Sequence, residues 1–475
     1  MTPELRNQSV LEAAGCGYTP RLRWLISGAD REYVDVCGLT ALHRAAVCGF
    51  EDTVELLIQG GWRVDETSPF GTPLCLAAFY GQAKIVAQLL RYRANVNAEC
   101  EKLGSPLHAA SLAGEVHIVQ SLLQCGAHVN ASVLVLDELQ PNPLMAIFDA
   151  AADRTLLVYI SPMTAAVTYG HLDVVETLYQ YGGDPNSNSG KAKQPTFGFQ
   201  TPLMQATCKT QLSAMKLLIA RGADVNAQGG LGGDCPVLVA GRGNNLAALQ
   251  LLKSHGADLS VRDNQGYTAL ILGAKNGHSE SVKWLLQNRV DVTAKNGNGH
   301  TALHLAASRN HPRCIVALLS RGAELECRDN KDRTALAVAA FGIDSKRDAI
   351  VQLVKTGAKV QVVDCNGDTV LHRAVALDPE LGQGVQSMWI LINAGAKINA
   401  VNNAGLTALH VAAQNGQEDQ VQLLLQAGAD SSMRCPHGER ALDKASRGGK
   451  AGVVALLSAS RGGDKRSWLS KARRS

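Results

Sequence analysis

The segment His300-Thr301-Ala302-Leu303-His304-Leu305-Ala306-Ala307 recurs in close copies along the chain, and its spacing constrains the fold more than any other feature. Aligned on Thr301, the copies begin at Thr40, Thr72, Ser105, Ser161, Thr201, Cys235, Thr268, Thr301, Thr334, Thr369, Thr407 and Arg440, and an interval of 33 residues dominates. A hydroxyl at the start can accept a backbone N–H of the first helical turn, and the alanines let neighbouring helices approach closely. Behind each start the same order repeats: a short Ala-rich helix, a Gly or Asn break, a second helix ending in Leu-Leu, a Gly-Ala-Asp exit and an extended Val-Asn-Ala. In the clearest copy these are Leu303 to Ser308, Asn310, Cys314 to Ser320 and Gly322-Ala323. Neither helix reaches the roughly 12–15 residues at which an isolated helix becomes marginally stable, so each must be held by its neighbours. The 475 residues therefore read as stacked layers, and not as the about three globular domains their number would otherwise suggest.

Composition agrees. The chain is 46% hydrophobic but only 4% aromatic, which suits thin layers of Ala, Leu and Val better than one thick core. Gly-Ala-Asp at 222–224, 256–258 and 428–430 supplies a left-handed residue to end the second helix. Asp263-Asn-Gln-Gly266 and Asp364-Cys-Asn-Gly367 have the residues of hairpin tips.

This period, the paired helices and the turn resemble ankyrin repeats, whose signature is Thr-Pro-Leu-His-x-Ala. Thr72-Pro73-Leu74, Ser105-Pro106-Leu107-His108-Ala109-Ala110, Thr201-Pro202-Leu203 and Thr407-Ala408-Leu409-His410-Val411-Ala412-Ala413 carry the resemblance, which extends from about Val10 to Ser458. It implies an all-α repeat solenoid of about 12–13 helix-turn-helix units joined by β-hairpin loops, with caps at both ends. The signature histidine stands at His43, His108, His304, His372 and His410; Cys75, Thr164, Met204, Leu238, Ile271, Ala337 and Asp443 replace it in other copies. The resemblance also implies that this ring ties adjacent repeats together.

The array is expected over residues 9–458, after a lead of residues 1–8 and before a basic tail at 459–475. Ser9 to Asp30 reads as a degenerate first repeat and Arg440 to Ser458 as a polar closing one. Insertions at 132–160 and 186–200 break the period. The first holds an apolar, helix-compatible Leu144 to Phe148, and the second a Ser/Asn/Gly-rich stretch before Phe197 and Phe199. Smaller extensions, at 344–348 and 377–384, lengthen the break between the helices of their units.

Catalytic and cofactor chemistry finds no foothold. Histidines His300 and His304 lie one turn apart, yet no Cys/His cluster has metal-ligand spacing. Gly229-Gly230-Leu231-Gly232-Gly233-Asp234 places Cys235 where a third dinucleotide-binding glycine belongs, so it reads as a lengthened hairpin tip. The twelve cysteines form no CxxC pair and are expected reduced. No apolar run suits a signal peptide or a membrane span. Net charge is +4, of which Arg461 to Ser475 holds +5; the remainder, at −1, argues against direct sequence-specific nucleic-acid binding. Lys465, Arg466, Lys471, Arg473 and Arg474 form two basic clusters that suit a solvated chain end, a nuclear-import signal or a contact with acid-rich or nucleic-acid partners.

The expected function is a non-catalytic, monomeric scaffold that binds protein partners, without cofactor, metal or membrane, in the nucleus or cytoplasm. Residues at hairpin tips, taken to be free of packing duty, are the candidate contacts: Glu66, Phe70, Arg262, Tyr267, Lys295, Asn298, His300, Arg328, Asn330, Arg333, Asp368, Asn402 and His437, with Phe197 and Phe199 as a docking element. Resemblance to free-standing ankyrin arrays of fungal proteins implies a transcription coregulator acting through a DNA-binding partner. The alternative is a substrate adaptor in a larger complex such as a ubiquitin ligase.

Overall fold

A computed structural model describes residues 2–100, 102–136, 157–187, 201–229, 232–341, 347–375 and 384–462. These form two compact units, one of Met1–Val239 with Gln250–Asp258 and one of Ala240–Leu249 with Leu259–Ser475.

In the first unit the helix pairs are α1 (Pro3–Cys16) and α2 (Thr19–Leu25), α3 (Ala41–Cys48) and α4 (Glu51–Gln59), α5 (Pro73–Phe79) and α6 (Ala83–Arg91), and α7 (Pro106–Ala113) and α8 (Val116–Gln124). After the insertion come α9 (Pro162–Tyr169) with α10 (Leu172–Gln180) and α11 (Pro202–Cys208) with α12 (Leu212–Ala220). The pair α13 (Pro236–Arg242) and α14 (Leu246–Ser254) divides between the two sequence ranges. The second unit continues with α15 (Ala269–Asn276) and α16 (Ser279–Gln287), α17 (Ala302–Ser308) and α18 (Pro312–Leu319), and α19 (Ala335–Ala340) and α20 (Arg347–Lys355). It closes with α21 (Val370–Val375) and α22 (Gly384–Asn393), α23 (Ala408–Asn415) and α24 (Glu418–Gln426), and α25 (Ala441–Arg447) and α26 (Ala451–Gly462).

Within each unit, first helices stack on first helices and second on second: α3 on α5 and α5 on α7, α15 on α17 and α17 on α19. The small side chains make this possible. In α17 every residue from Ala302 to Ala307 is buried, because the helix is covered by its predecessor, its successor and its own partner α18. The stacking also fixes glycine at helix ends. Gly277 follows α15 at φ 79°, and a Cβ there would stand 2.5 Å from the ring of His311, whose Nε2–H donates to the Lys275 carbonyl at 3.1 Å.

The first insertion leaves this stack uninterrupted, since α7 packs directly on α9. Strands β1 (Val133–Leu136) and β2 (Leu157–Ile160) pair antiparallel, with Val133 opposite Ile160 and Leu136 opposite Leu157. The Leu144–Phe148 piece and most of the second insertion, including Phe197 and Phe199, lie outside the described residues, as does most of each smaller extension. Around the Gly229–Asp234 loop, Gly229 pairs with Asp234 as a hairpin tip requires.

Two boundaries differ from expectation. Helix α1 begins at Pro3, inside the stretch read as a lead, because the Thr2 hydroxyl caps it by accepting the Leu5 N–H at 3.3 Å and proline is favoured in the first turn. Helix α26 runs on to Gly462. In the closing pair, Asp443 stands at the histidine position and accepts the backbone N–H of Arg440 at 2.9 Å, while Glu439 pairs with Lys444 and Arg447.

Candidate functional site

Six of the hairpins that join successive repeats are built around one acidic or amide side chain, five residues before the start that follows. Asp263 Oδ1 accepts the N–H groups of Gln265 and Tyr267; Asn296 accepts those of Asn298 and His300, Asp329 those of Lys331 and Arg333, Asp364 those of Asn366 and Asp368, and Asn402 those of Ala404 and Leu406. Each folds its tip into a turn of fixed shape. The recurrence of Asp or Asn at this offset, at Asp35, Asp263, Asn296, Asp329, Asp364 and Asn402, is the sequence signal for these residues, which the contact candidates omitted except for Asn402.

The signature histidine then joins tip to helix. In His304, Nδ1 accepts the Thr301 backbone N–H at 3.3 Å and lies 2.9 Å from the Thr301 hydroxyl; Nε2–H donates to the Arg333 carbonyl at 3.0 Å. A backbone donor on one nitrogen and a carbonyl on the other require the neutral Nε2–H tautomer. His43 reaches the Gly71 carbonyl at 3.1 Å and His372 the Leu406 carbonyl at 2.9 Å in the same way. His108 reaches two carbonyls, Ala131 at 3.1 Å and Ile160 at 3.2 Å, on the two sides of the insertion. Only His410 breaks this pattern among the five, its buried Nε2 lacking a hydrogen-bond partner. Burial drives His43, His108 and His304 down to about 4, against the opposing effect of these carbonyl bonds.

In the second unit the tips are linked to one another. Backbone bonds run from Gly297 N to Gln265 O at 2.7 Å, Asn330 N to Asn298 O at 3.2 Å, Cys365 N to Lys331 O at 3.1 Å and Asn403 N to Asn366 O at 3.0 Å. Side chains add a parallel set. Arg262 donates to the Lys295 carbonyl at 2.6 Å, Lys295 to the Arg328 carbonyl at 2.8 Å and Arg328 to the Val363 carbonyl at 3.1 Å, while Asn330 Nδ2 reaches the Gly297 carbonyl at 3.0 Å.

These bonds correct the premise that the tip residues are free of packing duty. Arg333 turns inward to Asp329, whose carboxylate is fully covered and also bonds His300 Nε2 at 3.1 Å. Burial acts upward on Asp329 but is outweighed by Arg333 and the tip N–H groups, which hold its carboxyl below the usual range. Burial likewise lowers His300, against the pull of Asp329. Asp368 accepts from Asn402 Nδ2 at 2.8 Å. His300, Arg333, Asp368 and Asn402 thus build the tips, because each side chain meets a neighbouring hairpin across the stack. Arg262, Lys295, Asn298, Arg328, Asn330 and His437 remain exposed. Tyr267 is half-buried, with the Lys275 ammonium 5.1 Å from its ring centroid.

In the first unit, Phe70 is half-buried with the Lys102 ammonium 4.1 Å from its ring centroid, and Glu66 faces Arg63 at 3.8 Å. Phe197, Phe199 and the basic residues Lys465, Arg466, Lys471, Arg473 and Arg474 lie outside the described residues. Among the described residues no three His, Cys, Asp or Glu side chains converge as metal ligands, and no helix is long and apolar enough to cross a membrane.

Comparison with known proteins follows the same periodicity. Models described as ankyrin repeats match residues 10–100, 60–133, 142–229, 203–296 and 380–467, and a further ankyrin model matches 280–319. An intracellular phospholipase A2 of Caenorhabditis elegans is 33% identical over 89 residues, 19% of this chain and 8% of that protein. Ankyrin repeat and SOCS box protein 16 of Homo sapiens is 34% identical over 102 residues, 21% of each chain. The chain thus spans only 8% and 21% of the length of these curated relatives. Among solved structures, the ankyrin repeat domain of Bcl-3, described as a unique member of the IkappaB protein family, is 30% identical; the match covers 48% of this chain and 99% of that one, with a TM-score of 0.41. With family models covering most of its length and the histidine, turn and helix-pair geometry recurring between them, the chain belongs to the ankyrin repeat family.

Proposed function

We propose that this protein is a regulatory scaffold whose hairpin tips select a protein partner, and that it acts as a transcription coregulator through a DNA-binding protein. The supporting observation is the bonded ladder of tips in the second unit: backbone bonds link successive tips, and side-chain bonds hold Arg262, Lys295, Arg328 and Asn330 in fixed relative positions before any partner arrives. Pre-ordered side chains lose little entropy on binding, which favours recognition of a shaped protein surface. The mixture of cations, amides and one aromatic ring suits a partner with an acidic rim around an apolar centre.

Tyr267 supplies that centre. Replacing it, as Tyr267→Ala, is expected to weaken partner binding about tenfold or more, whereas Asn298→Ala changes it less than about threefold. Titration calorimetry with a partner recovered by affinity purification checks this, and equal losses for the two variants would remove Tyr267 from the contact surface. The coregulator reading is tested by deleting residues 465–475 and following nuclear accumulation together with recovery of a DNA-binding protein.

Ligase subunits recovered in its place would favour the adaptor reading. That alternative has its support in the partial similarity to a relative named for a SOCS box.

A further inference from the structure

The third repeat departs from the histidine rule. Cys75 stands where His43, His108, His304 and His372 stand in theirs, and its thiol points at the equivalent acceptor, the Gly104 carbonyl, at 3.9 Å, with the Ala98 carbonyl at 3.8 Å. A thiol is a weak donor, so this hairpin lacks the clasp that imidazole supplies at His43, His108, His304 and His372. A second thiol stands beside it. Cys100 opens the hairpin and exchanges backbone bonds with Gly104 at 2.9 and 3.0 Å; its sulfur accepts the Leu103 N–H at 3.3 Å and faces the Phe70 carbonyl at 3.4 Å. Both sulfurs border one point, the Cβ position that Gly71 lacks, with Cys100 Sγ 3.0 Å and Cys75 Sγ 3.3 Å from it. Gly71 lies at φ 113°, where other residues are strained, so no side chain occupies this point beside the two thiols.

The two sulfurs differ. Cys75 is buried and Cys100 half-buried. The neighbouring Cys75 thiol is the largest influence lowering Cys100, followed, against the effect of burial, by N–H groups of Leu103, Lys102 and Gly104, and Cys100 is brought down to about 7; Cys75 is raised well above its ordinary value by Cys100 and by burial. A partly accessible sulfur with thiolate character, backed by a covered thiol, favours oxidation at the first and closure onto the second.

We propose that Cys75 and Cys100 form a peroxide-responsive dithiol site, whose oxidation ties Cys100 covalently to α5. The Cys100 thiolate attacks a hydroperoxide oxygen: an S–O bond forms, the O–O bond breaks, and the leaving oxide is protonated. Cys75 then attacks the Cys100 sulfur, forming S–S and breaking S–O, and its proton leaves with the hydroxide as water. With hydrogen peroxide as the oxidant, two thiols lose two electrons and one peroxide becomes two waters. The closed bond replaces the missing imidazole clasp and withdraws the Cys100 sulfur from the Phe70 carbonyl, coupling the redox state to a tip that carries a candidate contact residue.

The test treats the reduced full-length protein with one equivalent of hydrogen peroxide, blocks remaining thiols and maps peptides by mass spectrometry. The expected result is a Cys75–Cys100 linkage as the predominant disulfide. Cys75→Ser should lose the linkage and yield a dimedone adduct at Cys100, and Cys100→Ser should lose both. Reduced Cys75 and Cys100 in folded wild-type protein, with oxidation confined to exposed Cys16, Cys48, Cys125, Cys208 and Cys365, would overturn the proposal; this measurement needs no variant to fold.

Discussion

Lowering the pH from 7 to 5 is expected to remove about 2 kcal/mol of stability for each of His43, His108 and His304, well before the carboxylates titrate. In the folded chain burial holds these rings at about 4, while in the unfolded chain they return to 6.5. The unfolded state therefore binds protons first. Stability is fully present above the unfolded value and is lost progressively as pH falls toward the folded one. Protonation would also place a second N–H against the Thr301 N–H that Nδ1 accepts, destroying the bond that orients the ring. Burial lowers His372 and His410 too, so the loss is shared by several layers of the second unit. Urea unfolding at pH 7, 6 and 5, followed by hydrogen exchange in α3, α7 and α17, checks the expectation. A stability that stays flat over this range would contradict the neutral-imidazole clasp.

Replacing Asp329 by alanine should cost about 3–5 kcal/mol, an effect of the size found when one partner of a covered ion pair is removed. Its carboxylate satisfies the backbone N–H groups of Lys331 and Arg333, accepts the Arg333 side chain at 2.8 Å and bonds His300, with no exposure of its own. Alanine would leave the guanidinium without its carboxylate and two backbone donors without an acceptor at once, and Arg333 also offers the carbonyl that His304 uses. The damage should spread to the adjoining tips, because Lys331 O receives the Cys365 N–H. Asp329→Asn keeps an acceptor for the turn and loses only the charge, so it should be milder. Hydrogen exchange at Lys331, Arg333 and Cys365 and equilibrium unfolding read both effects; a loss below about 1 kcal/mol for the alanine variant would show that water replaces the carboxylate.

The 33-residue recurrence made the layers legible, down to the breaks between helices and the histidine clasp that the family resemblance implied. It did not show which tip side chains are already engaged. Arg262, Lys295 and Arg328 repeat a positive charge at one place in successive units, a pattern that reads as a solvated stripe. Each in fact donates to a backbone carbonyl one layer on, and carbonyls, present in every residue, leave no mark in a sequence. The strands of the insertion were hidden for another reason: runs of four apolar residues, Val133 to Leu136 and Leu157 to Ile160, fit helix or strand equally until a pairing partner decides. The Cys75–Cys100 pair was visible only as two unremarkable thiols, since their proximity depends on the hairpin folding back over α5.

Strands β1 and β2 act as a parenthesis in the polypeptide. The chain leaves the array at Val133 and returns at Ile160, opposite its point of departure, and a single imidazole grips the carbonyls of Ala131 and Ile160 on either side. With α7 seated directly on α9, the layers keep their register whatever the length of chain between the brackets, so evolution, or an engineer inserting a foreign domain after Leu136, can lengthen the text there without shifting the metre of the repeats.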